Sequence, residues 1–448
     1  MEKKSTKMKR SSTRVIALGF ALIILAGAFL LSLPIATRTG SPNAMAALFT
    51  ATSATCVTGL AVADTYQNWT LFGQLVILCM IQVGGLGFMT IGVYISVLLK
   101  RRIGLQERET LHESVNTLEI AGVVRLVKSI VKGALCIELL GAALLSIRFI
   151  PKFGLAKGIY FSIFHSISAF CNAGFDLMGI DEAYSSFTAF EGDILVNLVI
   201  CSLILVGGIG FIVWDDIARN KWHFKRYLLH TKLALSMTLV LTVGGSLLFL
   251  VFENNTVFAD MSISERLTGA LFASVTPRTA GFNTVDTAAM SNAGKLLTML
   301  YMFIGGSPGS TAGGVKTTTI VVLLFYSIAM VLNRQDINVF GRRLTDDVVK
   351  KANAVVAINF SLAAAAAVII MAMQPQLGFA DVIFEVLSAI GTTGMTMGIT
   401  RDLNTVSRLI IIFLMYCGRL GSLSFALVFA RKSAVNSLRL PQERIIVG

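Results

Sequence analysis

The chain has 448 residues, of which 55% are hydrophobic and only 14% charged, with a mean hydropathy of +0.75. That leaves too little polar surface to cover a water-soluble globule, so soluble enzymes and soluble binding modules are excluded and an integral membrane protein is expected. The net charge of +13 does not argue for nucleic acid, because most of the 38 Lys and Arg fall in five clusters that flank apolar stretches.

Those clusters are Lys3–Arg14, Lys100–Lys132, Arg219–Lys232, Arg334–Lys351 and the tail from Arg431. Basic loops mark the cytoplasmic side of membrane proteins, so both termini are expected there, with anionic lipids as partners and no nucleic acid. The first apolar run, Val15–Leu33, is long enough to span a bilayer. It ends in Leu33-Pro34-Ile35, which does not resemble a signal cleavage site, so a retained span is expected. A short helix starting over Met45–Thr52 follows, then SATCVTGL (Ser53–Leu60), and Leu71–Leu99 returns.

The same plan recurs three times. Ser129–Phe149 goes out, Tyr160–Phe175 carries the short stretch and Ile194–Trp214 returns. The third unit uses Leu233–Phe252, Leu267–Phe282 and Leu296–Leu332, and the fourth uses Ala354–Met373, Val382–Met395 and Leu409–Ala430. Register supports true repetition: a Phe stands ten residues before Gly59, Gly174 and Gly394, at Phe49, Phe164 and Phe384. The third unit is one residue shorter, with Phe272 nine before Gly281. The predicted units are residues 1–110, 111–222, 223–340 and 341–448. The expected fold is an all-α integral membrane protein of four helix–pore loop–helix repeats: eight spanning helices and four re-entrant pore helices around one pseudo-four-fold pore.

Irregular backbone at membrane depth is tolerated only where protein buries it or water fills a cavity beside it. Four short helices of about eight to twelve residues, entering from outside, would aim their partly negative C-terminal ends at one centre, which favours a cation. A dehydrated alkali ion needs a cage of carbonyl oxygens, and turning successive carbonyls to one side demands backbone angles that a Cβ resists. Gly59, Gly174, Gly281 and Gly394 can supply that freedom, preceded by Val57-Thr58, Asn172-Ala173, Thr279-Ala280 and Thr392-Thr393. Constant glycines beside varying side chains favour backbone chemistry. Plain helix C-caps are the competing explanation, since Gly is common there too.

The third return segment is interrupted at Gly305-Gly306-Ser307-Pro308-Gly309-Ser310-Thr311-Ala312-Gly313-Gly314. Such a density of Gly, Ser and Pro breaks a helix, so residues 305–315 are expected to be unwound directly below the four turns. Gly309, Gly314 and Lys316-Thr317 mimic a nucleotide-binding loop, but Val315 breaks the Gly-Lys adjacency and no strand precedes it. The words GGLGF (Gly84–Phe88) and GGIGF (Gly207–Phe211) suit close helix packing better than a dinucleotide.

Arg419 is an ionisable residue deep in an apolar segment, which points to function or to an internal partner. Lys316 either acts with it or extends toward the cytoplasm, and Glu138 is a candidate counter-charge. Asp64, Asp176 and Asp286 follow their glycines closely, as external cation attractors or as caps of the next helix. Arg278 is expected to pair with one of these acids. The six cysteines show no metal or disulfide spacing and are expected to be buried thiols; the four histidines are isolated.

PRTAGFN (Pro277–Asn283), SATCVTGL, GGSPGSTAGGVKTTT (Gly305–Thr319) and GRLGSL (Gly418–Leu423) resemble the membrane subunits of bacterial Ktr/Trk potassium-uptake systems, related to plant HKT transporters. The resemblance covers essentially the whole chain and is closest to the shorter KtrB-type subunit. It implies K+ uptake across the bacterial plasma membrane, with Gly59, Gly174, Gly281 and Gly394 as filter glycines and the 305–315 segment as an intramembrane gating loop beside Arg419. In the sodium-selective plant branch the first filter glycine is Ser; Gly59 here favours potassium, with sodium as activator or minor permeant. The resemblance further implies a homodimer on a cytoplasmic regulatory ring of KtrA/KtrC type that binds ATP or ADP, so nucleotide control acts in trans and this chain needs no cofactor of its own. A secondary transporter of a solute or of sodium would instead show inverted repeats and side-chain ligands. A membrane enzyme would need a constellation of His, Cys or carboxylates, and the sequence contains none.

Overall fold

The computed structural model describes residues 12–41, 43–99, 122–422, 424, 425, 441 and 443. The start of the first basic cluster, most of the second, and the basic tail lie outside the described residues. Among the described residues, four helices are long and apolar enough to cross a membrane: α1 (Ser12–Leu31), α6 (Val123–Phe153), α10 (Leu229–Phe252) and α14 (Asp346–Met373). Each opens one of the four units. On α1, Leu18, Leu22, Leu25 and Phe29 are all more than half exposed. Their spacing places them on one stripe, an apolar face turned outward as lipid contact requires.

Each long helix is followed by a shorter inner helix: α2 (Ala44–Thr55), α7 (Leu155–Phe170), α11 (Ile263–Val275) and α15 (Phe379–Gly391). At 12 residues α2 matches the length expected from the sequence, while the other three, at 16, 13 and 13 residues, exceed it. Their repeated Phe49, Phe164, Phe272 and Phe384 are all at most 1% exposed and anchor the inner helices in the core. One helical turn, α3 (Thr65–Asn68), is capped by Asp64.

The returning segments differ from the single spans expected. In unit 1, α4 (Leu71–Leu86) and α5 (Phe88–Leu98) meet at 93°, and in unit 2, α8 (Ile194–Gly208) and α9 (Phe211–Asn220) meet at 92°. The breaks fall at Gly87 (φ +83) and Gly210 (φ +101), a backbone conformation that a side chain resists. In unit 3, α12 (Asn292–Phe303) and α13 (Thr317–Val331) flank the Gly-rich stretch, which is unwound. In unit 4, α16 (Thr405–Leu420) stops at Gly421 (φ +82). A two-stranded hairpin, β1 (Asn338–Val339) with β2 (Arg342–Arg343), precedes α14.

Buried apolar clusters tie the units together. The largest joins units 1, 2 and 3, including Trp69, Phe149, Phe164, Phe170, Phe272 and Phe282. Another sets Phe49 and Leu60 of unit 1 against Ile390, Ile411 and Leu414 of unit 4. Chain ends of the repeat are thus neighbours in space.

Candidate functional site

Each inner helix ends in a turn of the same shape. Val57, Asn172, Thr279 and Thr392 have φ of +57°, +57°, +74° and +51°, and the glycine two residues later is again positive, at +95°, +67°, +81° and +89°. The residue between them is not. This alternation in the sign of φ is a backbone pattern that can turn successive carbonyls toward one side.

The four turns close on each other. A Cβ placed on Gly59 would meet the Ala173 carbonyl oxygen, one on Gly174 that of Ala280, one on Gly281 that of Thr393, and one on Gly394 that of Thr58, each at 2.7 Å or less. Real Cβ atoms essentially never come within 3.0 Å of such neighbours. The order 1-2-3-4-1 is a ring, and only glycine fits at any of its four corners.

Side chains brace this ring instead of filling it. Gly59 N–H donates to Ser53 Oγ at 3.0 Å and Gly394 N–H to Ser388 Oγ at 3.1 Å. Ser168 Oγ donates to the Phe175 carbonyl at 2.7 Å and Thr276 Oγ1 to that of Phe282 at 2.6 Å. Asn172 and Thr279 side chains lie 3.2 Å apart, joining turns 2 and 3, and Thr393 Oγ1 donates to the Pro277 carbonyl at 3.3 Å, joining turns 3 and 4. Thr58, Ala173, Ala280 and Thr393 are fully buried.

The unwound segment lies against one side of the ring. Gly313 leaves no room for a Cβ beside Thr392. Gly305 N–H donates to the Val315 carbonyl at 2.8 Å, closing the base of the loop. Ser307 and Thr311 N–H groups donate to the carbonyls of Gly208 and Gly207 at 2.9 and 3.2 Å, and Thr311 Oγ1 to that of Phe170 at 3.1 Å. Phe211 N–H donates to the Gly309 carbonyl at 2.7 Å, so the loop is stitched to the break in unit 2. Ser310 Oγ donates within the loop to Ser307, Lys316 Nζ to Ala312 (2.7 Å) and Gly313 (3.1 Å), and Ser307 Oγ lies 3.0 Å from Thr317 Oγ1. Lys316 therefore folds back onto the loop and does not extend away from it.

Arg419 of unit 4 bridges units 3 and 1. Its guanidinium donates to the carbonyl of Thr311 in the loop and to those of Gly84 and Gly85 (3.0 Å) in unit 1. Below lies a cavity of about 350 Å³ whose lining includes Gly85, Phe211, Pro308, Lys316, Asn359 and Arg419.

A second repeat, not recognised in the sequence, organises this lower level. The words Gly84-Gly85-Leu86-Gly87, Gly207-Gly208-Ile209-Gly210, Gly305-Gly306-Ser307-Pro308 and Gly418-Arg419-Leu420-Gly421 occupy the same place in their units. At Gly84, Gly207 and Gly418 a Cβ would fall well inside 3.0 Å of the carbonyls of Thr55, Phe170 and Ile390, the ends of their own inner helices. The glycines thus serve close packing, and the fourth position makes the bend. Arg419 stands at the register held by glycine in the other three units.

Several expected partners differ. Among the described residues Arg278 makes no ion pair; its Nη2 donates to Thr242 Oγ1 at 2.8 Å, because the turn sets it against α10. Asp64 caps α3 and also accepts from Tyr184 N–H at 2.8 Å, while Asp176 and Asp286 accept from backbone N–H groups two residues on. Glu138 meets no cation among the described residues; Gln82 Nε2 donates to its two oxygens at 3.0 and 3.1 Å. Cys56, Cys171, Cys201 and Cys417 are buried, but Cys79 and Cys136 are exposed on outward helix faces. Buried Glu253 and Glu385 went unremarked in the sequence, and His165 was read only as isolated, since a polar residue in an apolar run has no visible partner there.

A ring of backbone turns held inside a shell of lipid-compatible helices defines a polytopic membrane transport protein. A family profile described as TrkH, cation transport protein, matches residues 3–438. The chain is 43% identical to the potassium/sodium uptake protein NtpJ of Enterococcus hirae, covering 100% of this chain and 99% of that one. It is 42% identical to the Ktr system potassium uptake protein B of Bacillus subtilis, covering 97% and 96%. The crystal structure of the potassium transporter TrkH from Vibrio parahaemolyticus superposes with a TM-score of 0.71 at 20% identity, over 96% of this chain and 86% of that one. The chain belongs to the TrkH family of cation transport proteins, and is a membrane transporter, not an enzyme.

Proposed function

We propose that the chain takes up K+ through the ring, with the carbonyls around Gly59, Gly174, Gly281 and Gly394 replacing the ion's hydration shell. The observation that carries this is the closed cycle in which each glycine's missing Cβ makes room for the next unit's carbonyl. Backbone oxygens crowded in a ring, braced by buried hydroxyls, suit a bare monovalent cation. The names of the two similar relatives, one for potassium and one for potassium and sodium uptake, fit the same cargo. Sodium enters as activator or minor permeant.

In this reading the four units, 1–110, 111–222, 223–340 and 341–448, supply eight spans and four pore helices of a plasma-membrane protein with both termini cytoplasmic. The 305–315 loop, with Lys316 and Arg419, is the gate. Its cross-unit hydrogen bonds to Gly207, Gly208 and Phe211 hold it under the ring. Control acts in trans, through a nucleotide-binding ring of KtrA/KtrC type beneath a homodimer.

Potassium-auxotrophic cells expressing the chain with such a ring should grow at low K+. Gly59→Ser, whose Cβ would strike the Ala173 carbonyl, should reduce preference for K+ over Na+. Deletion of Ser307–Gly313 should raise uptake in the absence of the ring. Unchanged preference in the serine variant, with uptake intact, would refute the filter assignment.

A further inference from the structure

The residue that follows the repeated phenylalanine on each inner helix is Thr50, His165, Ala273 or Glu385. Two of these leave their helix and bond the chain beyond the turn. His165 is fully buried; its Nε2 accepts from Leu177 N–H at 3.0 Å, and its Nδ1 lies 2.7 Å from the Phe161 carbonyl, which sets the proton on Nδ1. Glu385, 1% exposed, accepts from Thr400 Oγ1 at 2.6 Å on one oxygen and from Thr396 Oγ1 at 2.7 Å on the other. Thr396 Oγ1 also accepts from Gly398 N–H at 3.0 Å. No ion pair engages Glu385 among the described residues.

Units 1 and 3 have nothing comparable. The Thr50 hydroxyl has no hydrogen-bond partner among the described residues, and the Ala273 side chain has no polar atom. Contacts around the ring run 1-2-3-4, so units 2 and 4 sit across a diagonal. A carboxyl group buried in an apolar setting is costly and is kept where it orders something else. What it orders here is the chain leading away from Gly394: Thr396 comes two residues after that glycine, and Leu177 comes three after Gly174.

We propose that Glu385 and His165 are positioning residues for ion discrimination, fixing the rim of the ring remote from the unwound loop along the 2–4 diagonal. This rests on the filter assignment above. Both side chains act through the backbone they hold, without touching the ion.

The test is uptake of K+ and Na+ by the full chain reconstituted in liposomes. Glu385→Val and the paired variant Thr396→Val with Thr400→Val should each lower the K+/Na+ ratio about tenfold, since both remove the same buried hydrogen bonds. Combining all three changes should cost no more than either alone. Glu385→Gln, which keeps an acceptor in place, should recover the ratio to within about threefold, and Thr50→Val should leave it unchanged. Should Glu385→Val fail to accumulate, the paired threonine variant, isosteric and outside the helix, decides alone. Equal loss of both ions at a constant ratio would overturn the proposal as mere destabilisation. An unchanged ratio in the threonine variant while Gly394→Ala alters it would also overturn the proposal and leave the filter standing. An unchanged ratio in Gly394→Ala as well would remove the filter assignment itself.

Discussion

Arg419→Met keeps an apolar stem of similar length and deletes the guanidinium that joins Thr311 of the loop to Gly84 and Gly85 of unit 1. A hydrogen bond from a charged donor is worth about 1.5–3 kcal/mol net. Gly85, one of the residues whose carbonyl is freed, borders a cavity of about 350 Å³, roomy enough for water to recover part of the loss there. Taking about 2 kcal/mol as the net loss at the loop, the ratio of held to released loop falls about 30-fold. Uptake of rubidium by cells lacking any regulatory ring reads this directly, and should rise toward the level seen with the ring. Arg419→Lys should restore only part of the hold, because a single ammonium cannot reach carbonyls on both units as the planar fork does. Unchanged ring-free uptake in Arg419→Met, at normal membrane abundance, would refute the reasoning.

Gly84→Ala, Gly207→Ala and Gly418→Ala each force a Cβ onto a backbone carbonyl, and should cost about 1–3 kcal/mol, read as lower melting temperature in detergent. Gly92→Ala and Gly244→Ala, helical positions with open space, should instead stabilise by about 0.5–1 kcal/mol. Gly154→Ala has equal room but φ of +82°, so a loss of about 1–2 kcal/mol there isolates backbone strain from crowding. Gln82→Leu leaves the Glu138 carboxylate without its donor and should cost about 1–3 kcal/mol; Glu138→Leu added to it should recover stability in the same thermal assay.

The turns were legible because two features repeat at fixed distance, the phenylalanine that anchors each inner helix and the glycine that closes its turn. The right-angle bends at Gly87 and Gly210 were not, since Phe88–Leu98 and Phe211–Trp214 remain apolar across the break, and hydropathy records compatibility with lipid, not direction. Alignment of the four words GGLG, GGIG, GGSP and GRLG would have exposed them. Arg278 was misassigned because acids nearby in sequence suggested a pair, whereas the reversing turn faces it to Thr242. Exposed Cys79 and Cys136 reflect a related inversion: in lipid, an apolar thiol gains nothing by going inside.

Arg419 has a consequence for why such a ring is written in one chain. Were the same scaffold assembled from four identical copies, a guanidinium at this register would appear four times around one axis. Mutual repulsion would drive them apart, and each would compete for carbonyls that suffice for one. Fusing diverged copies permits glycine at Gly85, Gly208 and Gly306 and a lone cation opposite them. A single guanidinium can then tie the loop to unit 1, an economy of charge that a strictly symmetric tetramer is denied.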